Sequence, residues 1–417
     1  MRLSTLQIAY RNLGRNKRRT LLALSAIALG QFTLVFVNAM MAGSFETMIK
    51  TVTGPLIGHV QVHHRAWREE RAVDLYIDNV AESQRAIEAL PGVTAVSTRT
   101  YAPVLAASGE TGNAPADAEP AVVVGLNVAN EARTGGLLGP LPEENLPGAH
   151  GVALGKALAI RLGLERGDQI AIIAQDADGF PTSDLFEVRA VVDSTVDIVK
   201  TMGILMSAAD AGELLAMPDK AHELIIQGED YREADILTAE VAALPELQAN
   251  EVISWREAMP EIVRMMDMKN WVDVIFLAIV FVAAAAGVAN TSLMSTFERT
   301  KEFGMLLAMG TNPGRIVRMV LIESVTLGLI GVMAGSILGL TAVFITSQTG
   351  LDYSAFSGIE AEDISFAGVS FSYIIYPHLE ARHVTFGIVA VVITSVLASL
   401  WPAVLAARLE PVEAMHS

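Results

Sequence analysis

Apolar and polar residues follow an uneven rhythm along this chain: one apolar block at 20–43, more than two hundred residues of mixed polarity, then three further apolar blocks at 271–295, 317–346 and 384–407. Each block meets the ~20 residues that an apolar helix needs to cross a bilayer, so the pattern predicts four transmembrane helices with one large domain between helices 1 and 2. Inside that domain the pattern shifts to short alternating or β-branched runs at 58–64, 93–107, 121–126, 169–175, 185–196 and 223–227, which predict strands. Helical periodicity intervenes at 80–90, 156–162, 208–217 and 231–244. The predicted fold class is an α-helical membrane protein with four transmembrane helices plus a large mixed α/β extracytoplasmic domain. That domain, at 44–256, exceeds an average domain length and predicts two subdomains. A helical pattern at 257–270 runs into the second block and predicts a stalk. A loop at 296–316, another at 347–383 and a tail at 408–417 complete the order.

Charge assigns the sides. Residues 1–19 carry Arg2, Arg11, Arg15, Lys17, Arg18 and Arg19 and no acid, and the loop between the second and third blocks adds Arg299, Lys301 and Arg315. Basic residues beside spans stay cytoplasmic, so both termini and this loop are expected inside and the large domain outside. Leu3, Leu6, Tyr10 and Leu13 share one face of the basic segment, which predicts an amphipathic helix lying in the inner interface against membrane lipids. A signal peptide has a similar start, but the first apolar run is longer than a signal core and three more spans follow. Between positions 43 and 270 there are 35 acidic against 17 basic side chains, which accounts for the net charge of −17. Such an acidic surface excludes nucleic acid as a partner. With no cysteine in the chain, disulfides and thiol chemistry are excluded as well.

Signatures of chemistry are few. GVALGK at 151–156 lacks the spacing and the following Ser or Thr of a phosphate loop, HELIIQ at 222–227 lacks the second His of a zinc protease, and no Gly-x-Ser-x-Gly elbow occurs. No catalytic residue is therefore expected in this chain. His59, His63 and His64 lie in one predicted strand, and Met265, Met266 and Met268 at the foot of the stalk, but neither group has the acid or cysteine that would complete a metal site, so no metal is expected. Gly328, Gly331, Gly335 and Gly339 recur at intervals of three and four, a smooth strip for close helix packing. Glu323, near one end of the same span, is expected to make an interfacial structural contact rather than to relay protons. The segment at 108–120, SGETGNAPADAEP, reads as an exposed turn.

The loop STFERTKEFGMLLAMGTNPGRIVRMVLIE at 295–323 carries the sharpest pattern. Glu298, Arg299, Lys301 and Glu302 present mixed charge, while Phe303, Leu306 and Leu307 offer an apolar ridge for a groove. It resembles the segment by which macrolide exporters, lipoprotein-releasing permeases and cell-division permeases dock on a separate ATP-binding subunit. AYRNLGRNKRRTLLALSAIAL at 9–29, LGKALAIRLGLERGDQIAII at 154–173 and ASLWPAVLAARLEPVEAM at 398–415 are similar to further stretches of that superfamily. GHVQVHH after the first span and FSYIIYPHLEARHV before the last are most similar to the lipoprotein-releasing type.

The resemblance implies a periplasmic core domain like that of the macrolide exporters, and a bacterial inner-membrane permease that works by mechanotransmission. Phe297, Glu298, Arg299, Lys301, Glu302, Phe303, Leu306 and Gly310 are then the ATPase-coupling residues, within a helix expected at 297–309. It also implies no cofactor in this chain, since ATP and Mg belong to the cytoplasmic ABC ATPase subunits. Further implied partners are a second permease copy or paralogue, a lipoprotein or other amphiphilic substrate, and a periplasmic carrier. The alternative implied by the cell-division members is a signalling scaffold that activates an extracytoplasmic wall hydrolase and transports nothing.

Overall fold

In a computed structural model, which describes residues 17–108, 118–134, 136–138, 141–352, 365–366, 368–370 and 374–410, the four apolar blocks lie in helices Lys17–Val52, Pro260–Glu298, Pro313–Thr349 and Ala381–Ala407. All four are long and apolar enough to cross a membrane. Of the interfacial helix expected at 1–19, residues 1–16 lie outside the described residues and 17–19 begin the first long helix; most of the turn at 108–120 and the tail beyond 410 also lie outside the described residues. The chain divides into two units, one of Met1–Thr47, Met265–Phe356 and Tyr373–Ser417, the other of Met48–Arg264 and Ser357–Ser372.

In the first unit all four long helices contribute to one small core of Ile27, Ala284, Val288, Val332 and Val391. The glycine strip of the third helix lets its neighbours approach closely. A Cβ on Gly335 would lie 2.3 Å from the Ala28 carbonyl, one on Gly331 2.9 Å from Ile27 and one on Gly339 3.0 Å from Val35, all on the first helix. Gly328 faces the fourth helix instead, 2.3 Å from Ser395 Oγ by the same measure. Gln31 donates to Ser336 Oγ at 3.1 Å within this packing. The second helix starts at Pro260, where a missing N–H costs nothing. The stalk expected at 257–270 is therefore shorter. Glu257 belongs to a separate turn, Trp255–Ala258, and Met259 (φ −127°, ψ 68°) breaks the helix between them.

The second unit is built on strands β1 (Val60–His63), β2 (Val93–Ser108), β3 (Ala118–Leu126), β4 (Gly151–Gly155), β5 (Gln169–Gln175), β6 (Pro181–Val192), β7 (Gly203–Ser207), β8 (Glu223–Gly228) and β9 (Glu251–Ser254). Their order is β3-β7-β4-β6-β5-β2-β8-β1-β9, and β2 also pairs with β3, so six strands close into a ring. The pairs β3–β7 and β4–β6 are parallel. One half of β2, Arg99 to Ala107, belongs to the ring through β3, while Val93 to Arg99 pairs with β8 and carries the remaining antiparallel strands. Val104, Val123, Leu154, Ile172, Phe186 and Met206 fill one core. Val62, Val96, Ile226, Ile87 and Val241 fill another, under the helices Val80–Glu88 and Ala234–Ala242. The two expected subdomains are thus two lobes welded through one strand, within a single unit.

Three of these nine strands had no counterpart in the sequence pattern. β4 and β7 are five-residue runs with little exposure, so they show no alternation, and β9 is four residues long. The strand expected at 185–196 is β6, shifted toward the N-terminus. Asp176 accepts from the backbone N–H of Phe180 at 2.7 Å and so tightens the β5–β6 turn, which lets pairing begin at Pro181.

Candidate coupling site

Asn312 and Pro313 set the start of the third helix: the Asn312 side chain accepts from Gly314 N at 2.8 Å, and proline occupies the first turn. Just before it, Gly310 (φ +82°) ends the short helix Thr300–Ala308. Gly310 N donates to the Leu307 carbonyl and Thr311 N to that of Leu306, the paired bonds of a left-handed helix terminus. Gly310 is explained by this backbone geometry, whether or not a partner touches it.

The helix expected at 297–309 is divided. Phe297 and Glu298 complete the second long helix, Arg299 (φ −113°, ψ 16°) sits at the break, and Thr300–Ala308 follows as a separate element. The apolar ridge is corrected too. Phe303 is 1 % exposed and packs with Ile316, Val320, Ala403 and Ala406, against which Leu306 and Leu307 also lie. Phe303, with Leu306 and Leu307 half-buried beside it, holds the short helix to the third and fourth helices, because these apolar side chains are taken out of water there. The surface left to a partner is a different face: Lys301 is exposed, Met305 is 51 % and Met309 75 % exposed. Phe297 is exposed as well, on the end of the second helix.

The charged residues close on one another. Arg19 donates through both terminal nitrogens to the two oxygens of Glu298, each at 3.0 Å. Arg299, 7 % exposed, donates from Nε to Glu302 at 2.9 Å and from Nη1 to Glu323 at 3.0 Å, with its guanidinium 5.0 Å from the Phe303 ring. Ser295 Oγ reaches Glu323 at 3.3 Å. Glu323 therefore makes a structural ion pair, which offsets the cost of its position. A cavity of about 40 Å³ opens among these groups, lined by Arg19, Ser292, Ser295, Glu298, Arg299 and Glu323 on its polar part and by Phe303, Val320 and Leu327 on its apolar part. A second cavity, of about 180 Å³, lies at the other ends of the helices between Leu34, Asn38, Asn270, Asp273, Val274, Leu277, Arg382 and Phe386.

The remaining sequence candidates serve the second unit or sit apart. His59 Nδ1 accepts from Gly228 N at 3.0 Å, and burial holds its pKa below the ordinary value despite nearby Asp230. His63 is fully buried, with Nδ1 3.0 Å from the His64 carbonyl. Met265, Met266 and Met268 lie in the second helix, Met268 exposed. In GVALGK, Lys156 pairs with Asp193 at 2.6 Å, which holds that carboxyl below the ordinary range, while Gly155 permits the Val199 carbonyl to pass 2.0 Å from where a Cβ would stand. His222 of HELIIQ stacks on Trp67 at 4.1 Å.

Sequence reasoning missed one buried ion pair altogether. Arg99 and Glu131, each 1 % exposed, meet at 3.0 Å. Glu131 also accepts from Ser97 Oγ and Leu137 N, and Arg99 donates to the Leu56 carbonyl at 2.6 Å. Burial disfavours the charged Arg99, but Glu131 and Tyr101 outweigh it and raise its pKa. Only the rarity of arginine inside an alternating strand would have marked it.

With this geometry in place, relationships to known proteins can be stated. Residues 20–249 match the MacB-like periplasmic core domain and residues 274–411 the FtsX-like permease C-terminal domain. The chain belongs to this family. It is 22 % identical over 202 residues to the lipoprotein-releasing system transmembrane protein LolC of Neisseria meningitidis, covering 47 % of this chain and 49 % of that one. To LolC of Xylella fastidiosa (strain Temecula1) it is 21 % identical over 283 residues, 65 % of each chain. To the macrolide export ATP-binding/permease protein MacB of Azoarcus sp. it is 24 % identical over 232 residues, 49 % of this chain and 35 % of MacB. The chain thus spans between about a third and two thirds of these relatives. A crystal structure of the periplasmic region of MacB from Actinobacillus actinomycetemcomitans aligns with 53 % of this chain and 98 % of its own, at 11 % identity and a TM-score of 0.36.

Proposed function

We propose that this chain is the membrane-spanning permease subunit of an ATP-driven ABC transporter that extrudes lipoproteins or other amphiphiles from the outer leaflet of a bacterial inner membrane. Both termini and the short helix Thr300–Ala308 face the cytoplasm, following the basic flanks, and the acidic second unit faces the periplasm. ATP and Mg are bound by separate ABC ATPase subunits, and a second permease copy or a paralogue completes the assembly. Closure of the ATPase subunits displaces the short helix, and the long helices carry the motion outward. The observation that carries this reading is the short helix itself: anchored inwardly by Phe303, Leu306 and Leu307, it presents Lys301, Met305 and Met309 outward. The cavity of about 180 Å³ combines apolar Leu34, Val274, Leu277 and Phe386 with polar Asn38, Asn270, Asp273 and Arg382, a lining that suits part of an amphiphile.

Mass spectrometry of the detergent-purified complex before and after addition of Mg·ATP tests this. The expected result is an ATP-binding subunit together with a lipidated protein or other amphiphile that leaves on ATP addition. Recovery without any ATP-binding subunit overturns the reading. Recovery of the ATP-binding subunit with a wall hydrolase in place of an amphiphile replaces transport by the scaffold role.

A further inference from the structure

We propose that Arg299 is a positioning residue that fastens the short helix Thr300–Ala308 to the third long helix and makes them move together, an inference that rests on the coupling role proposed above. One guanidinium spans the junction: Nε binds Glu302 and the central carbon lies 5.0 Å from the Phe303 ring, both on the short helix, while Nη1 binds Glu323 on the third helix. Glu323 returns to the second helix through Ser295, and Arg19 with Glu298 ties the first helix to the second. The short helix and the first three long helices are thus linked by polar and charged hydrogen bonds, Arg19 holding Glu298 through a two-bond fork and Arg299 giving one bond to each of two carboxylates.

The cavity beside these pairs explains why ions rather than apolar side chains make the link. Its volume of about 40 Å³ accommodates water. Arg19 Nε and Ser292 Oγ are buried there without a hydrogen-bond partner among the described residues, which is the environment water fills. Solvated ion pairs can lengthen, tilt and exchange partners as helices shift, whereas interlocked apolar packing resists displacement. Arg299 can therefore keep hold of both carboxylates through a stroke.

The test uses the full permease in lipid nanodiscs with its co-purifying ATP-binding subunit. Because the chain has no cysteine, spin labels at Met294→Cys on the second long helix and Met333→Cys on the third, both exposed positions, report how far the third helix moves against the second when the short helix is displaced. The unmodified junction should show a shift in that distance on Mg·ATP plus vanadate. Arg299→Ala should still recruit the ATP-binding subunit but lose the shift. Arg299→Lys, which keeps the charge without the two directed donors, should reduce it, and Glu323→Gln, which weakens only the bond to the third helix, should reduce it as well. A full shift in Arg299→Lys and in Arg299→Ala overturns this inference while leaving the transporter reading intact. Failure of the unmodified permease to recruit any ATP-binding subunit overturns both. If Arg299→Ala does not fold, the Arg299→Lys and Glu323→Gln variants decide.

Discussion

The two units bury charge in opposite ways. In the strand-built unit, Arg99 and Glu131 are sealed from solvent and further bonded by Leu56, Ser97 and Leu137. In the helical unit, Arg19, Glu298, Arg299, Glu302 and Glu323 gather at the ends of helices beside a cavity, with buried polar atoms left for water. The first arrangement has one low-energy geometry, because moving either ion leaves an uncompensated charge in a low dielectric. The second leaves a cavity and unpartnered polar atoms beside its ions. The proposed stroke would draw on both, a part that keeps its shape and a part that rearranges.

The largest expected effect comes from opening the sealed pair. Arg99→Ala leaves Glu131 buried without its counter-charge and should destabilise the strand-built unit by about 3–5 kcal/mol. Trp67 and Trp255 are both buried in that unit, so their fluorescence during thermal unfolding reads the loss in a background where Trp271 and Trp401 of the long helices are replaced by Phe. An unchanged transition would mean that the pair is not a structural clamp. Next, Gly335→Val places its Cβ where the Ala28 carbonyl approaches, and overpacking of this kind costs about 1–3 kcal/mol. Helicity lost on heating in detergent should fall to lower temperature, while the Trp67 and Trp255 signal stays in place.

Smaller effects probe surfaces. Lys301→Glu with Met305→Ala changes only the outward face of the short helix. It should weaken binding of the ATP-binding subunit about tenfold, or ~1.4 kcal/mol, at unchanged thermal stability. Reversing Glu298 and Glu302 would be a poorer probe, since both hold arginines of this chain. The smallest effect is pH-dependent. His222 Nδ1 accepts from Tyr101 N and its Nε2 lies 2.9 Å from the Val73 carbonyl, and burial lowers its pKa against the opposing Val73 contact and nearby Glu223. His59 is lowered by burial in the same way. A folded pKa below the unfolded value of 6.5 means that the neutral form is favoured by folding. Stability from these groups is full above pH 6.5 and is lost as pH falls through the lowered folded values. Unfolding temperatures of the strand-built unit should drop on acidification, and His222→Leu should flatten that slope.

The sequence made the helical unit more legible than the strand-built one, and the reason is physical. A helix exposed to lipid must be apolar on every side, so its composition alone marks it. Strands such as β2 and β5 also announced themselves, because one face is buried and the other is not. β4 and β7 did not, since both of their faces are buried and no period survives. At the coupling site the residue types were legible but their directions were not. Phe303 and Leu306 face inward and Met305 outward because of where the third and fourth helices pass, which local spacing does not encode. Arg99 and Glu131 lie 32 positions apart, so no local pattern could join them.

The central claim, that ATP rearranges the helical unit while the strand-built unit keeps its shape, is tested most directly by two distances in one experiment. Spin labels at Met294→Cys and Met333→Cys, on the second and third long helices, report the helical unit, and labels at Ile160→Cys and Ile236→Cys, exposed positions on the two lobes, report the strand-built unit. In nanodiscs with the ATP-binding subunit, Mg·ATP plus vanadate should shift the first distance and leave the second unchanged. A shift in the second with none in the first would contradict the account.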